Sequence, residues 1–111
     1  MDEPRTPDHV LSEIRATRKL MLAGSSSLKD AEIAANRADL AADLAFDRAF
    51  MTATGTLDER KAVAREKSQA ERDAAFIAIA EHSRVKAKLR HVESALMSLS
   101  SELKWMKEEG L

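Results

Sequence analysis

The chain contains no cysteine and no tyrosine, and only two prolines, three glycines, three phenylalanines and one tryptophan in 111 residues. Lacking cysteine, it has no disulfide, no thiolate metal site and no cysteine nucleophile, which fits a reducing cytosol. So few aromatic side chains leave little material for a thick globular core. Scarce Pro and Gly remove the punctuation that short strands and tight turns need, so a β-rich fold is not expected. A formal net charge of −1 excludes the whole-chain basicity of many nucleic-acid binders, leaving only local patches to consider. No stretch approaches the roughly 20 apolar residues of a membrane span. The opening Met1-Asp2-Glu3-Pro4-Arg5 has no apolar segment behind a basic one, so no secretory leader is expected there. The expected location is the cytoplasm.

What the chain does have is alanine, charge and heptads. Charged residues make up 33% of the sequence, and with abundant Ala, Glu, Lys, Arg and Leu this is the composition of long helices and coiled coils. Val85, Leu89, Val92, Leu96, Leu99, Leu103 and Met106 follow one another at alternating spacings of four and three. Such a 3.5-residue period keeps one apolar stripe facing a partner helix.

Two breaks are expected. Gly24-Ser25-Ser26-Ser27 offers a glycine for a helix C′ position and serine N-caps for the next helix, with Ser27 and Asp30 as a capping box. At the second, Thr54-Gly55-Thr56, Thr56 with Glu59 forms a capping box where the helical pattern restarts. Thr6-Pro7 reads as N-cap and N1, with Asp8 favoured by the helix dipole. The predicted helices span about 7–22, 28–53 and 57–109, with loops at 23–27 and 54–56. The short second loop makes the last helix run antiparallel to its predecessor. Facing residues then carry numbers adding to about 110, which sets Met21 near Leu89, Ile14 near Leu96 and Val10 near Leu99. The expected fold is all-α, a single unit: a long antiparallel helical hairpin with one arm broken at residues 24–27, assembling into an oligomeric helix bundle.

Surface patterning points to contact rather than chemistry. Ala31, Ala34, Ala38, Ala41, Ala45 and Ala49 form a small-residue stripe, while Ile33, Leu40, Leu44 and Met51 occupy a different face and Phe46 and Phe50 add bulk near the turn. Apolar residues on more than one face imply more than one helical neighbour, and a hairpin supplies only one. Self-association is therefore assigned to Val85, Leu89, Val92, Leu96, Leu99, Leu103 and Met106 with Ala38 and Ala45. The face Val10, Ile14, Thr17 and Met21 is weaker than this seam.

Met97 and Trp105 lie beside the seam and are the candidates for docking another protein, because Met and Trp bring adaptable or large apolar contact. The alternative for Trp105 is packing against the 7–22 helix. His9, His82 and His91 lack the spacing of a metal site and read as solvated or edge-packed side chains. Asp39, Asp43 and Asp47 form a like-charged row whose natural companion is an arginine from a neighbouring helix, not a catalytic partner. No catalytic residue, cofactor or metal is assigned. Two basic stretches, Arg60, Lys61, Arg65 and Lys67, then Arg84, Lys86, Lys88 and Arg90, are candidate phosphate contacts. Interspersed Glu and Asp and the lack of stacking aromatics suit a solvated flank as well.

The succession of an Ala-rich amphipathic helix, the Gly55-Thr56 turn, the Arg60-Lys61 restart and an Ala/Glu-rich helix ending in Leu96-Met97-Ser98-Leu99 resembles small helical proteins of actinobacterial bacteriophages. The resemblance covers about residues 28–110. Some such proteins look to be encoded near recombination and replication genes, which implies an accessory role in DNA metabolism in the host cytoplasm. No catalytic residue carries over. The expected function is thus a non-enzymatic, oligomeric coiled-coil protein that binds a protein of DNA metabolism or a host target. Direct DNA binding and a structural scaffold or assembly chaperone are the alternatives.

The seam makes one prediction at once. Leu96→Asp places an unpaired carboxylate at a core position and should disassemble the protein or unfold its distal half. Unchanged mass and melting temperature would show that the core lies elsewhere.

Overall fold

The computed structural model describes residues 4–110; the leader reading at Met1, Asp2 and Glu3 falls outside them. Among the described residues the chain is all-α. Helix α1 spans Pro7–Thr52, α2 Leu57–Lys67 and α3 Gln69–Glu108. The chain divides into two compact units: Lys29–Arg84, and the described residues up to Leu28 together with those from Val85 onward.

In the Lys29–Arg84 unit, the C-terminal half of α1 turns at residues 53–56 into α2 and the start of α3. The start of α2 is as expected: the Thr56 hydroxyl accepts from the Glu59 N–H at 3.3 Å. Gly55 holds φ at +111°, and a Cβ there would crowd the Glu59 carboxylate. The backbone angle is what requires glycine, since the Glu59 side chain could swing aside. The last turn of α1 contains no basic residue, and Arg60 from α2 supplies one. Its guanidinium donates to the Phe50 carbonyl at 3.1 Å and lies 4.3 Å from the centre of the Phe50 ring. An end carbonyl of α1 is thereby satisfied by a cation, where the helix dipole favours one.

The interior of this unit is built from alanine. Ala35, Ala42 and Ala49 of α1 are buried and Ala31, Ala38 and Ala45 half-buried. They face a row in which Ala64, Ser68 and Ala75 are buried and Glu71, Ala78 and His82 half-buried. Both rows keep the four-three spacing of a coiled-coil seam. The inward stripe of α1 therefore runs through Ala35 and Ala42; Ala34 and Ala41, expected in it, are exposed. Arg72 bridges the two arms in the antiparallel arrangement that the short turn sets, donating to Asp39 at 3.1 Å and Asp43 at 2.8 Å.

The other unit has a bulkier interior. Val10, Ile14 and Met106 form its buried cluster, with Leu96, Leu99 and Leu103 packed against it. At its edge Arg5 donates to both oxygens of Glu13, at 3.0 and 2.7 Å, and also to Glu102. The N-terminus of α1 is closed as expected at Thr6, whose hydroxyl accepts from the His9 N–H while its own N–H donates to His9 Nδ1, each at 3.3 Å.

Two boundaries differ from expectation. The break at residues 24–27 is absent, and α1 passes through Gly24 and the three serines as continuous helix. Gly24 serves packing rather than termination: a Cβ on it would lie 2.9 Å from Leu89 Cδ1. Leu89 meets Gly24, one turn beyond the Met21 expected opposite it. With no break, the Ser27–Asp30 capping box has no helix start to cap. The second difference falls in the arm expected to be uninterrupted. The 57–109 helix is broken at Ser68, where φ is −98° and ψ 6°. The Ser68 hydroxyl donates to the Ala64 carbonyl at 2.7 Å, a back-bond that loosens a helical turn. The backbone ladder survives on both sides, Ser68 N–H to Ala64 O and Arg72 N–H to Ser68 O, each at 3.0 Å.

Continuity of α1 has a direct test. Ser26 is exposed, so Ser26→Pro would be nearly neutral in a loop, whereas in a helix interior it should cost about 3 kcal/mol. Thermal and urea melts of the variant should show a loss of that order, and wild-type stability would restore the loop.

Candidate functional site

The seam assigned to self-association is filled from within the chain. Leu89 and Met106 are buried and Val85, Val92, Leu96, Leu99 and Leu103 half-buried in a single copy. Ala38 and Ala45 are likewise covered by the chain's own second arm. What a partner meets is the outside of the helices.

Three outer apolar groups stand there. The first is Ile33, Leu40, Leu44 and Met51 on α1, all exposed. On the wheel defined by the alanine seam these are the positions furthest from it, so α1 is apolar on two opposed faces. The second is Phe76, Ile77 and Ile79 on α3, also exposed. Alanine explains both: small residues fill the inner seam, and larger apolar side chains are left outside. The third is Met97 and Trp105 at the other end of α3. Trp105 is 56% exposed and Met97 72%, so Trp105 is not absorbed by packing against α1. An open depression of about 210 Å³, lined by Arg18, Met21, Leu22 and Ser25, completes the apolar surface of that unit.

The basic residues do not converge. Arg60 is engaged by Phe50, and Arg84 pairs with Glu81 one turn away at 2.6 Å. Lys61, Arg65 and Lys67 are exposed, but heptad phase sets Arg65 on one flank of the seam and Lys67 on the other. The same division separates Lys86 from Lys88, while Arg90 points outward on its own. Each flank also carries acid. The acidic row behaves as a partner for arginine: Arg72 takes Asp39 and Asp43, leaving Asp47 outside the pair.

The histidines have separate surroundings. His9 is the reciprocal partner of Thr6, His82 occupies a seam position half-buried, and His91 is exposed. Among the described residues no group of three or more His, Asp or Glu side chains converges to hold a metal ion. Nor is any described helix long and apolar enough to cross a membrane. The sequence did not reveal that His9 stands in for the glutamate of a capping box, because histidine is not the residue that motif selects. No known protein family, curated protein or solved structure matches the chain.

Electrostatics concentrate in the arginine clusters. Hydrogen bonds from Arg5 hold the carboxyls of Glu13 and Glu102 below the ordinary glutamate value of 4.5, and Arg84 does the same for Glu81. A carboxylate depressed on folding stabilises the fold fully above its unfolded value. That contribution fades as the pH falls through the lower folded value. The melting temperature should therefore drop below about pH 4.5, and Arg5→Gln should flatten the drop by releasing Glu13 and Glu102 together. An acid profile identical to wild type in that variant would show that the Arg5 cluster contributes nothing in solution.

Proposed function

We propose that this chain is a non-enzymatic interaction protein that associates with copies of itself through the outer face of α1, leaving Met97 and Trp105 to engage a different protein. The observation that carries this reading is the stripe Ile33, Leu40, Leu44 and Met51, exposed on a helix whose opposite face is already filled. A row of large apolar side chains in heptad phase is costly to leave in water and is the pattern of a helix-packing surface. We take the second partner to be a protein of DNA metabolism or a host target in the host cytoplasm; the support for this is the sequence pattern at residues 28–110 alone, since no family, curated protein or solved structure matches the chain.

Direct DNA binding draws on Arg60, Lys61, Arg65, Lys67, Arg84, Lys86, Lys88 and Arg90. Their division between two flanks and the engagement of Arg60 and Arg84 count against a continuous track for phosphates. A scaffold that grows beyond a closed assembly has one observation in its favour: Phe76 and Ile79, three apart on α3, form a further exposed apolar patch, and two unlike patches permit open-ended association.

Light scattering over a concentration series decides between these. The wild type should exceed monomer mass and reach a plateau, and Leu44→Asp should return it to monomer with its helical circular dichroism unchanged, since Leu44 is exposed in the single chain. Mass without a plateau would favour the scaffold. A wild type that stays monomeric at all concentrations would remove the self-association reading.

A further inference from the structure

The outer face of α1 contains two charges among its apolar residues. In order it reads Ile33, Arg37, Leu40, Leu44, Asp47, Met51, spaced by four, three, four, three and four. This is a second coiled-coil seam, about 27 Å long at 1.5 Å per residue, on the side of the helix away from the alanines. Its apolar members are 40%, 58%, 44% and 78% exposed. Arg37 and Asp47 are exposed as well, and among the described residues neither forms an ion pair.

The seam is symmetric about its centre. Counting outward from the level of Ala42, Leu40 matches Leu44, Arg37 matches Asp47 and Ile33 matches Met51. We propose that two copies of the chain pair antiparallel along this face, with a twofold axis at the level of Ala42 and Arg37 of each copy opposite Asp47 of the partner subunit. The inference rests on the self-association reading and adds the partner, the orientation and the register.

Three observations support it. First, an antiparallel coiled coil sets the two kinds of core position against each other, and all six residues obey that rule in this one register. Sliding by one heptad in either direction puts Arg37 against Leu40, or Leu44 against Asp47. Second, charge selects the orientation. A parallel pair in register would set Arg37 on Arg37 and Asp47 on Asp47, whereas the antiparallel pair makes two opposite-charge contacts. Third, the acid nearest the axis on the flank is Asp43, and Arg72 of its own chain holds it at 2.8 Å. That contact neutralises a charge that would otherwise meet its own copy across the twofold.

The test exchanges the charges. Arg37→Asp gives a chain with two acids in the seam and Asp47→Arg one with two bases, so each alone sets like against like. Each should raise the dimer dissociation constant by about 100-fold. The double variant carrying both changes restores opposite charges and should return to within about threefold of wild type. An equimolar mixture of the two single variants should associate although neither does alone. Sedimentation at matched concentrations reads all four, and circular dichroism checks the fold, which substitutions at these exposed positions leave intact. A parallel pair predicts no effect of either single change, because like already faces like in the wild type. Single variants with wild-type association, or a double variant left dissociated, would overturn the antiparallel register while self-association stood. A monomeric wild type would overturn both.

Discussion

Everything about this molecule depends on how little volume its alanines occupy. Ala31, Ala35, Ala38, Ala42, Ala45 and Ala49 line the inner face of α1, and Ala64, Ala75 and Ala78 line the face they meet. Methyl groups let the helices approach closely but bury little apolar area for each residue ordered. The larger apolar side chains of α1, Ile33, Leu40, Leu44 and Met51, lie on its other side and are exposed. The apolar outer faces of α1 and α3 are thus the counterpart of the alanine interior. The other unit has bulky side chains inside, Val10, Ile14, Leu99, Leu103 and Met106, and others outside, among them Leu20, Leu22, Met97 and Trp105.

Polar contacts supply the specificity that methyl groups do not. A row of alanines matches another row of alanines in almost any register. Arg72 on Asp39 and Asp43 selects one, as Arg5 on Glu13 and Glu102 does in the other unit. These are exposed pairs and add little to stability one by one. Their effect is to discriminate between registers of similar packing. Glu71 is different in kind: one of its carboxylate oxygens is buried at the seam without a hydrogen-bond partner.

Much of this was legible in the sequence. Large residues mark their positions unambiguously, so the 85–106 seam could be read from spacing and the antiparallel direction from the short turn, while the register is displaced by about one turn, with Leu89 against Gly24; Thr6 and Thr56 announced their helix starts by capping chemistry. Alanine blurred the same reading. Where Ala34 and Ala35, or Ala41 and Ala42, stand side by side, two stripes fit equally, and only the phase inherited from Val10, Ile14 and Met21 distinguishes them. That phase continues through Gly24 and Leu28 to Ala31 without a skip, which identifies the Gly-Ser segment as helix. Local propensity there favoured a stop, and packing against Leu89 overrode it. The distortion at Ser68 has no sequence signal, because nothing in its neighbourhood suggests a break and the hydroxyl bond to Ala64 that accompanies it is one that Thr17 also makes to Glu13 inside unbroken α1. The outer faces were visible as stripes, and the one that faces inward is the one in phase with Val10, Ile14 and Met21.

The Arg5 contact with Glu102 joins residues 97 apart in sequence, while Arg60 and Phe50 are separated by only ten. Within the Lys29–Arg84 unit the separation grows with distance from the turn, as with Arg72 and Asp39 at 33. Closing the longest loop first would carry the greatest entropic cost, whereas each pair formed outward from the turn extends an existing ladder by one short step. The turn at residues 53–56, with Gly55 in its left-handed conformation and Arg60 seated on Phe50, is therefore where folding has the least to overcome. The Arg5 clasp, by contrast, closes the longest stretch of chain and carries the largest loop-closure cost of these contacts.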